Sequence, residues 1–163
     1  MNLNEHIILM NIEKSPKLAE VTLSYNTEIP VSQQPQVTSP GRAVELLRSV
    51  WGEGQLELRE EFLVLLLNNS KRCLGWAKIS SGGATATIVD PAAVLRVAIL
   101  ANAQSVLLNH NHPSGNLEAS KADITLTNRI VKSGKLLGVD VADHIILTAR
   151  GGYLSFREEG LME

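Results

Sequence analysis

His110 and His112, followed by Ser120 and Asp123, are the residues of this 163-residue chain whose types and spacing best suit chemistry. Two of the four histidines stand two apart at the end of Ser105-Val106-Leu107-Leu108-Asn109, which reads as a short buried strand. Side chains alternate between the faces of a strand, so both imidazoles aim the same way. Pro113-Ser114-Gly115 then breaks the strand. Eight residues after His112, Ser120 opens a helical pattern with Asp123 in its first turn. A carboxylate returned beside two imidazoles makes a His₂Asp donor set. That set suits a catalytic zinc with its fourth position open to water.

A plainer reading accounts for each piece separately. Ser120-x-x-Asp123 is also a capping box, with the serine as cap and the acid three residues on. His-x-His on a strand also describes two hydrogen-bonded histidines without a metal. The combination favours a site, and capping does not compete with it, because a helix N-terminus favours a carboxylate.

The elements that must position these residues follow from periodicity. Residues 1–38 read as an accessory portion: His6–Ile12 and Leu18–Tyr25 suggest a hairpin, and Pro30–Gln36 a polar connector. His6 reads as structural or exposed. Ser39-Pro40 starts a helix that stops near Gly52. Glu57–Leu67 reads as a central strand, polar at its mouth and then continuously apolar. In it Glu60, Phe62 and Val64 share one face, and Glu61, Leu63 and Leu65 the other. A carboxylate there could serve as a general base over a metal site, or simply solvate the strand end. Asn68–Lys71 is a turn, Cys73–Ser80 a returning strand, and Ser81-Gly82-Gly83 a joint suited to close backbone packing. Asp90-Pro91 starts a helix through Ala103, which leads into the histidine strand. A second helix runs from Ser120 to Leu137 and stops at Gly138, before strands at Val139–Thr148 and Tyr153–Phe156. His144, beside Asp143, reads as a structural hydrogen-bonding residue or an outer partner of a ligand.

Composition narrows the class. Hydrophobic residues at 44% and charged residues at 20% exclude a disordered chain and fit one folded domain with a real core. Fifteen basic against 17 acidic residues give a net charge of −2, so no electrostatic footprint for nucleic acid is expected. The lone cysteine, Cys73, excludes an internal disulfide, reads as a packing residue, and points to a reducing compartment. Ile7–Met10 is too short an apolar run for a signal peptide or a membrane span. A cytoplasmic location with no membrane partner is the expectation.

With these residues in place, His110-Asn111-His112-Pro113-Ser114-Gly115 followed by Ser120-x-x-Asp123 resembles the JAMM (MPN+) metalloprotease motif, and more narrowly the RadC family. The resemblance runs from Leu56 to Leu161. It takes in Glu60-Glu61-Phe62, Ser81-Gly82-Gly83, Asp90-Pro91, Asp143-His144-Ile145-Ile146 and Ser155-Phe156. Two positions depart from the family pattern: Asn109, where a small apolar residue is usual, and Ala119, where proline is usual. The resemblance implies an α/β (α+β) fold of JAMM/MPN-like, cytidine-deaminase-like type, with a mixed central sheet flanked by helices over residues 39–163. It implies Zn²⁺ held by His110, His112 and Asp123, with Glu60 rather than Glu61 as the general base. Ser120 would then hydrogen-bond the oxyanion. It also implies a peptide or protein substrate cleaved at an amide bond. The family label suggests, alternatively, a DNA-repair-associated or interaction module. Relatives often carry a helix-hairpin-helix segment ahead of this domain, and the residues before Leu56 lack its Gly-rich signature.

Overall fold

Five strands in the spatial order β2-β1-β3-β4-β5 carry the fold: β1 (Glu61–Leu67), β2 (Cys73–Ser81), β3 (Ser105–Asn111), β4 (Asp140–Leu147) and β5 (Tyr153–Ser155). The computed structural model describes residues 29–52, 54–82 and 89–162, so the expected hairpin within residues 6–25 lies outside the described residues. β3 and β4 run parallel, and the other neighbouring pairs run antiparallel. The sheet is therefore mixed and largely antiparallel, as expected.

Helices α1 (Pro40–Val50), α2 (Gln55–Leu58), α3 (Pro91–Leu100) and α4 (Lys121–Leu137) flank it. Alternation along β1 builds two cores. Phe62, Val64 and Leu66 pack with Val94, Leu95 and Ile130, which belong to α3 and α4. Leu63, Leu65 and Leu67 pack with Ala43, Val44 and Leu47 of α1. Every residue of β1 is buried, as its unbroken apolar run requires.

Capping explains where the helices start. Ser39 accepts from the Arg42 N–H with Pro40 in the first turn, and Asp90 accepts from the Ala92 N–H with Pro91 behind it. α3 stops at Leu100 rather than at Ala103. Asn102 turns left-handed with φ 51°, and the Ala103 N–H reaches back to the Ala98 carbonyl at 2.9 Å. α4 ends at Gly138, whose φ of 71° suits a residue without Cβ.

One boundary differs in a way that matters for the site. The strand expected from Glu57 begins only at Glu61, and Gln55–Leu58 form a helical turn instead. Asn111 supplies the reason. Its amide donates to the carbonyls of Leu56 at 2.9 Å and Arg59 at 2.8 Å, and its Oδ1 accepts from the Glu61 N–H at 2.8 Å. These bonds satisfy backbone groups that lie outside the β ladder, and they fix the path of the chain on both sides of Glu60. Among the described residues, no helix is long and apolar enough to cross a membrane.

Candidate metal centre

β3 places the first histidine. The strand continues through His110 and Asn111 instead of ending at Asn109, because β1 pairs with it as far as His110 and β4 as far as Asn111. His110 lies opposite Phe62 and stacks on its ring, with centroids 6.1 Å apart and planes 8° apart. Asn109 and Asn111 belong to the other face. Asn109, the departure from the family pattern, is buried and satisfied: its Oδ1 accepts from the Trp51 indole at 3.0 Å, and its amide donates to the Ile145 carbonyl at 2.8 Å. It ties the end of α1 to β3 and β4.

His112 sits one residue beyond the strand, where its N–H still bonds the Leu147 carbonyl at 2.9 Å. The Pro113–Gly115 turn closes with the Gly115 N–H on the His112 carbonyl at 3.0 Å, and Gly115 adopts φ 81°. That turn brings the Asn116 carbonyl to within 2.7 Å of His112 Nδ1. A carbonyl only accepts, so Nδ1 carries the proton and Nε2 presents its lone pair.

Asp123 arrives on the first turn of α4. The capping box is fully formed: Asp123 Oδ2 accepts from the Ser120 N–H at 2.8 Å, and Ser120 Oγ accepts from the Asp123 N–H at 3.1 Å. The plain reading of that pair is therefore correct, and it also aims the carboxylate. Asp123 Oδ1 lies 3.6 Å from His110 Nε2, Oδ2 lies 3.9 Å from His112 Nε2, and the two Nε2 atoms are 3.0 Å apart.

These separations fit one small cation. Donors on a tetrahedral ion with bonds of about 2.0–2.1 Å lie roughly 3.3 Å from one another. The Nε2–Nε2 and His110 Nε2–Asp123 Oδ1 separations bracket that value, and one donor atom from each of the three side chains lies within 4.8 Å of the others. Two imidazole nitrogens and a carboxylate oxygen are the donor types zinc takes. His110 is buried, while His112 and Asp123 are each partly exposed at 16% and 17%, so the group opens to solvent on one side. Among the described residues, these three are the one group of histidine, cysteine and acidic side chains close enough to share a metal.

Burial sets the charge of the histidines. Desolvation lowers the pKa of His110 to about 4, against an opposing pull from Asp123 and with help from His112. His144 is held well below the usual imidazole range, first by burial and then by His110 and His112. Both rings are neutral at pH 7, the form in which imidazole donates to metals. In metal-free protein the unfolded chain takes up a proton near pH 6.5, whereas folded His110 resists until about 4. The unfolded state then binds more protons, so stability is full above that upper value and falls as pH drops through the window. For His110 alone this amounts to about 3 kcal/mol. Chelator-treated protein is expected to show a clearly lower urea midpoint near pH 4.5 than near pH 7, and equal midpoints would contradict it.

Glu60 is not among the converging donors. It precedes β1, half-buried, with its carbonyl bonded by the Gly82 N–H at 2.9 Å. It lies two residues before Phe62, which pairs with His110 at the end of the β1–β3 ladder. Glu61 is committed elsewhere: it is buried against Lys78 at 2.7 Å, Arg59 at 3.2 Å and the Ser81 hydroxyl at 2.9 Å. His144 lies behind His110, with its Nε2 2.8 Å from His110 Nδ1, and is fully buried against Phe156. Asp143 turns to a different task, accepting from Ser155 and from the N–H groups of His144 and Arg157. Sequence reasoning missed the Asn116 carbonyl, Asn111 and Thr127. Thr127 alone had a visible signal, one helical turn after Asp123 on the same helix face.

Comparison with known proteins agrees with this architecture. Residues 37–161 match the RadC family, described as a RadC-like JAB domain. A UPF0758 protein of Symbiobacterium thermophilum is 42% identical over 103 residues, which is 63% of this chain and 44% of that protein. One from Flavobacterium johnsoniae is 39% identical over 126 residues, covering 77% of this chain and 53% of the relative. One from Thermosynechococcus vestitus is 40% identical over 128 residues, covering 77% and 49%. The chain thus spans about half the length of the curated relatives it matches. A mixed sheet flanked by helices, a His-x-His strand end with an acid on the following helix, and a family match across most of the sequence meet in one result: this chain belongs to the RadC family, through a RadC-like JAB domain.

Proposed function

We propose that this domain is a zinc-dependent hydrolase of JAMM type, cleaving peptide or isopeptide bonds. The observation that carries the proposal is the convergence of His110 Nε2, His112 Nε2 and the Asp123 carboxylate at separations of 3.0, 3.6 and 3.9 Å. Zinc bound there supplies Lewis-acid activation of a water molecule, bringing its pKa to about 7. Glu60, immediately before the strand whose Phe62 pairs with His110, accepts the proton that the attacking water gives up and returns it to the departing amine nitrogen. Ser120 uses its oxygen to accept from the Asp123 N–H, which leaves its hydroxyl proton to donate to the carbonyl oxygen as negative charge develops there. The start of α4 adds the positive end of a helix dipole at the same place.

The test begins with metal content after chelator-free purification, wild type beside His110→Ala. About one zinc per chain, lost in the variant, is expected. The loaded protein is then assayed against quenched peptide and isopeptide-linked substrates. No metal in either protein, even after zinc is added, would refute the metal site. Stoichiometric zinc without cleavage of any amide substrate would refute the hydrolase assignment and leave a metal-stabilised interaction module.

A further inference from the structure

Behind His110 lies a buried chain of hydrogen bonds that leaves the metal centre and returns to it. His110 Nδ1 is 2.8 Å from His144 Nε2, His144 Nδ1 is 2.6 Å from Thr127 Oγ1, and Thr127 Oγ1 is 2.7 Å from the backbone carbonyl of Asp123. The rings of His110 and His144 and the whole of Thr127 are buried.

The direction of every bond follows from its last member. A carbonyl oxygen cannot donate, so the single hydroxyl proton of Thr127 points at Asp123. This is the back-bond from a helical threonine to the carbonyl four residues earlier. Any other assignment leaves two oxygens 2.7 Å apart with no proton between them. With its proton spent, Thr127 Oγ1 can only accept, so the proton of His144 sits on Nδ1. His144 Nε2 is then a lone pair and must accept from His110 Nδ1–H. His110 is left with its lone pair on Nε2, the nitrogen that faces His112 and Asp123.

We propose that His144 and Thr127 are positioning residues that hold His110 in its metal-binding tautomer and orientation. The inference rests on the metal-site reading above and deepens it. The ring closes on Asp123, which offers its carboxylate to the centre and its carbonyl to Thr127. β3, β4 and α4 are thereby joined through one circuit, and a shift of α4 moves both a ligand and the anchor of the tautomer lock. Phe156 stacks on the His144 ring with centroids 4.5 Å apart, and Phe62 meets it edge-on at 5.5 Å, so the ring has no room to turn. His112 reaches the same tautomer independently, from the Asn116 carbonyl.

The experiment measures zinc affinity by competition with a chromophoric chelator, together with the visible spectrum of the cobalt-substituted protein. His144→Phe keeps the stacked ring and removes both hydrogen bonds. Zinc affinity is expected to fall about 10–100-fold, the usual cost of losing an outer partner of a histidine ligand, with a changed cobalt spectrum. His144→Gln can still accept from His110 and donate to Thr127, and is expected to recover most of the affinity. Thr127→Val, read in the same assay, guards against misfolding of the phenylalanine variant and should weaken binding in the same direction, whereas Thr127→Ser should not. His112→Ala, run alongside, separates the two hypotheses. If it retains zinc, the metal-site reading fails. If it loses zinc while His144→Phe and Thr127→Val bind like wild type, the lock is refuted and the metal site stands. An equal loss in His144→Phe and His144→Gln would also overturn the lock, because packing alone would then explain the effect.

Discussion

Glu60→Gln is expected to lower kcat by about 10²–10⁴-fold, the range general acid–base catalysis supplies, while zinc content stays at the wild-type level. The substitution keeps the volume and hydrogen-bonding reach of the side chain but removes its capacity to take up a proton at neutral pH. Zinc should be retained because the donors that converge are His110, His112 and Asp123, and Glu60 lies outside them. Its backbone should hold as well, since Asn111 grips Arg59 and Glu61 on either side of it. The neighbouring Glu61→Gln provides the contrast. Burial pushes the Glu61 carboxyl upward, but hydrogen bonds from Lys78 and Ser81 and the charges of Lys78 and Arg59 outweigh it and hold the pKa below the ordinary value. Removing that charge strands Lys78 beside a neutral amide, so Glu61→Gln should reduce stability and spare the chemical step. Parallel kcat, zinc and urea-denaturation measurements on the two variants decide the matter. Loss of zinc in Glu60→Gln, or full activity in it, would show that Glu60 had been given the wrong role.

The second large effect is expected from His112→Ala: loss of zinc and of activity, with only a small change in stability. Losing a ligand should cost more affinity than the roughly 10–100-fold drop expected from losing an outer partner. His112 is the cleaner of the two histidines to remove. It lies beyond the end of β3 and is partly exposed, and its backbone bond to Leu147 does not depend on its side chain. His110→Ala should lose zinc too, but it also opens a cavity against Phe62 and leaves His144 without its partner. Its folding free energy should fall by several kcal/mol, within the range of about 3–5 kcal/mol seen for large buried rings cut back to alanine. Metal analysis and urea denaturation on both variants separate the two losses. A His112→Ala protein that still binds one tight zinc would overturn the proposed ligand set.

How much of this was legible beforehand depended on the range of the signal. Strand alternation put His110 and His112 on one side, the capping box put Asp123 at the start of α4, and Ser39-Pro40 and Asp90-Pro91 marked their helices. Each of these is written in residues no more than four apart, because the backbone geometry that reads them repeats over that distance. The unbroken apolar run after Glu61 likewise announced a strand covered on both faces. The pairing of the strands left no such local mark. β3 lies between β1 and β4, so Phe62 stacks on His110 and His144 stands behind it, and nothing near any of these residues in the chain says so. The turn at Gln55–Leu58 was equally hidden, because its cause is Asn111, some fifty residues away in sequence. The sequence by itself determined the donor types, their spacing and the family. Only the tertiary structure decided which nitrogen each histidine presents, because a tautomer is set by whichever acceptor lies against the other ring nitrogen. For His110 that chain of acceptors comes from β4 and α4.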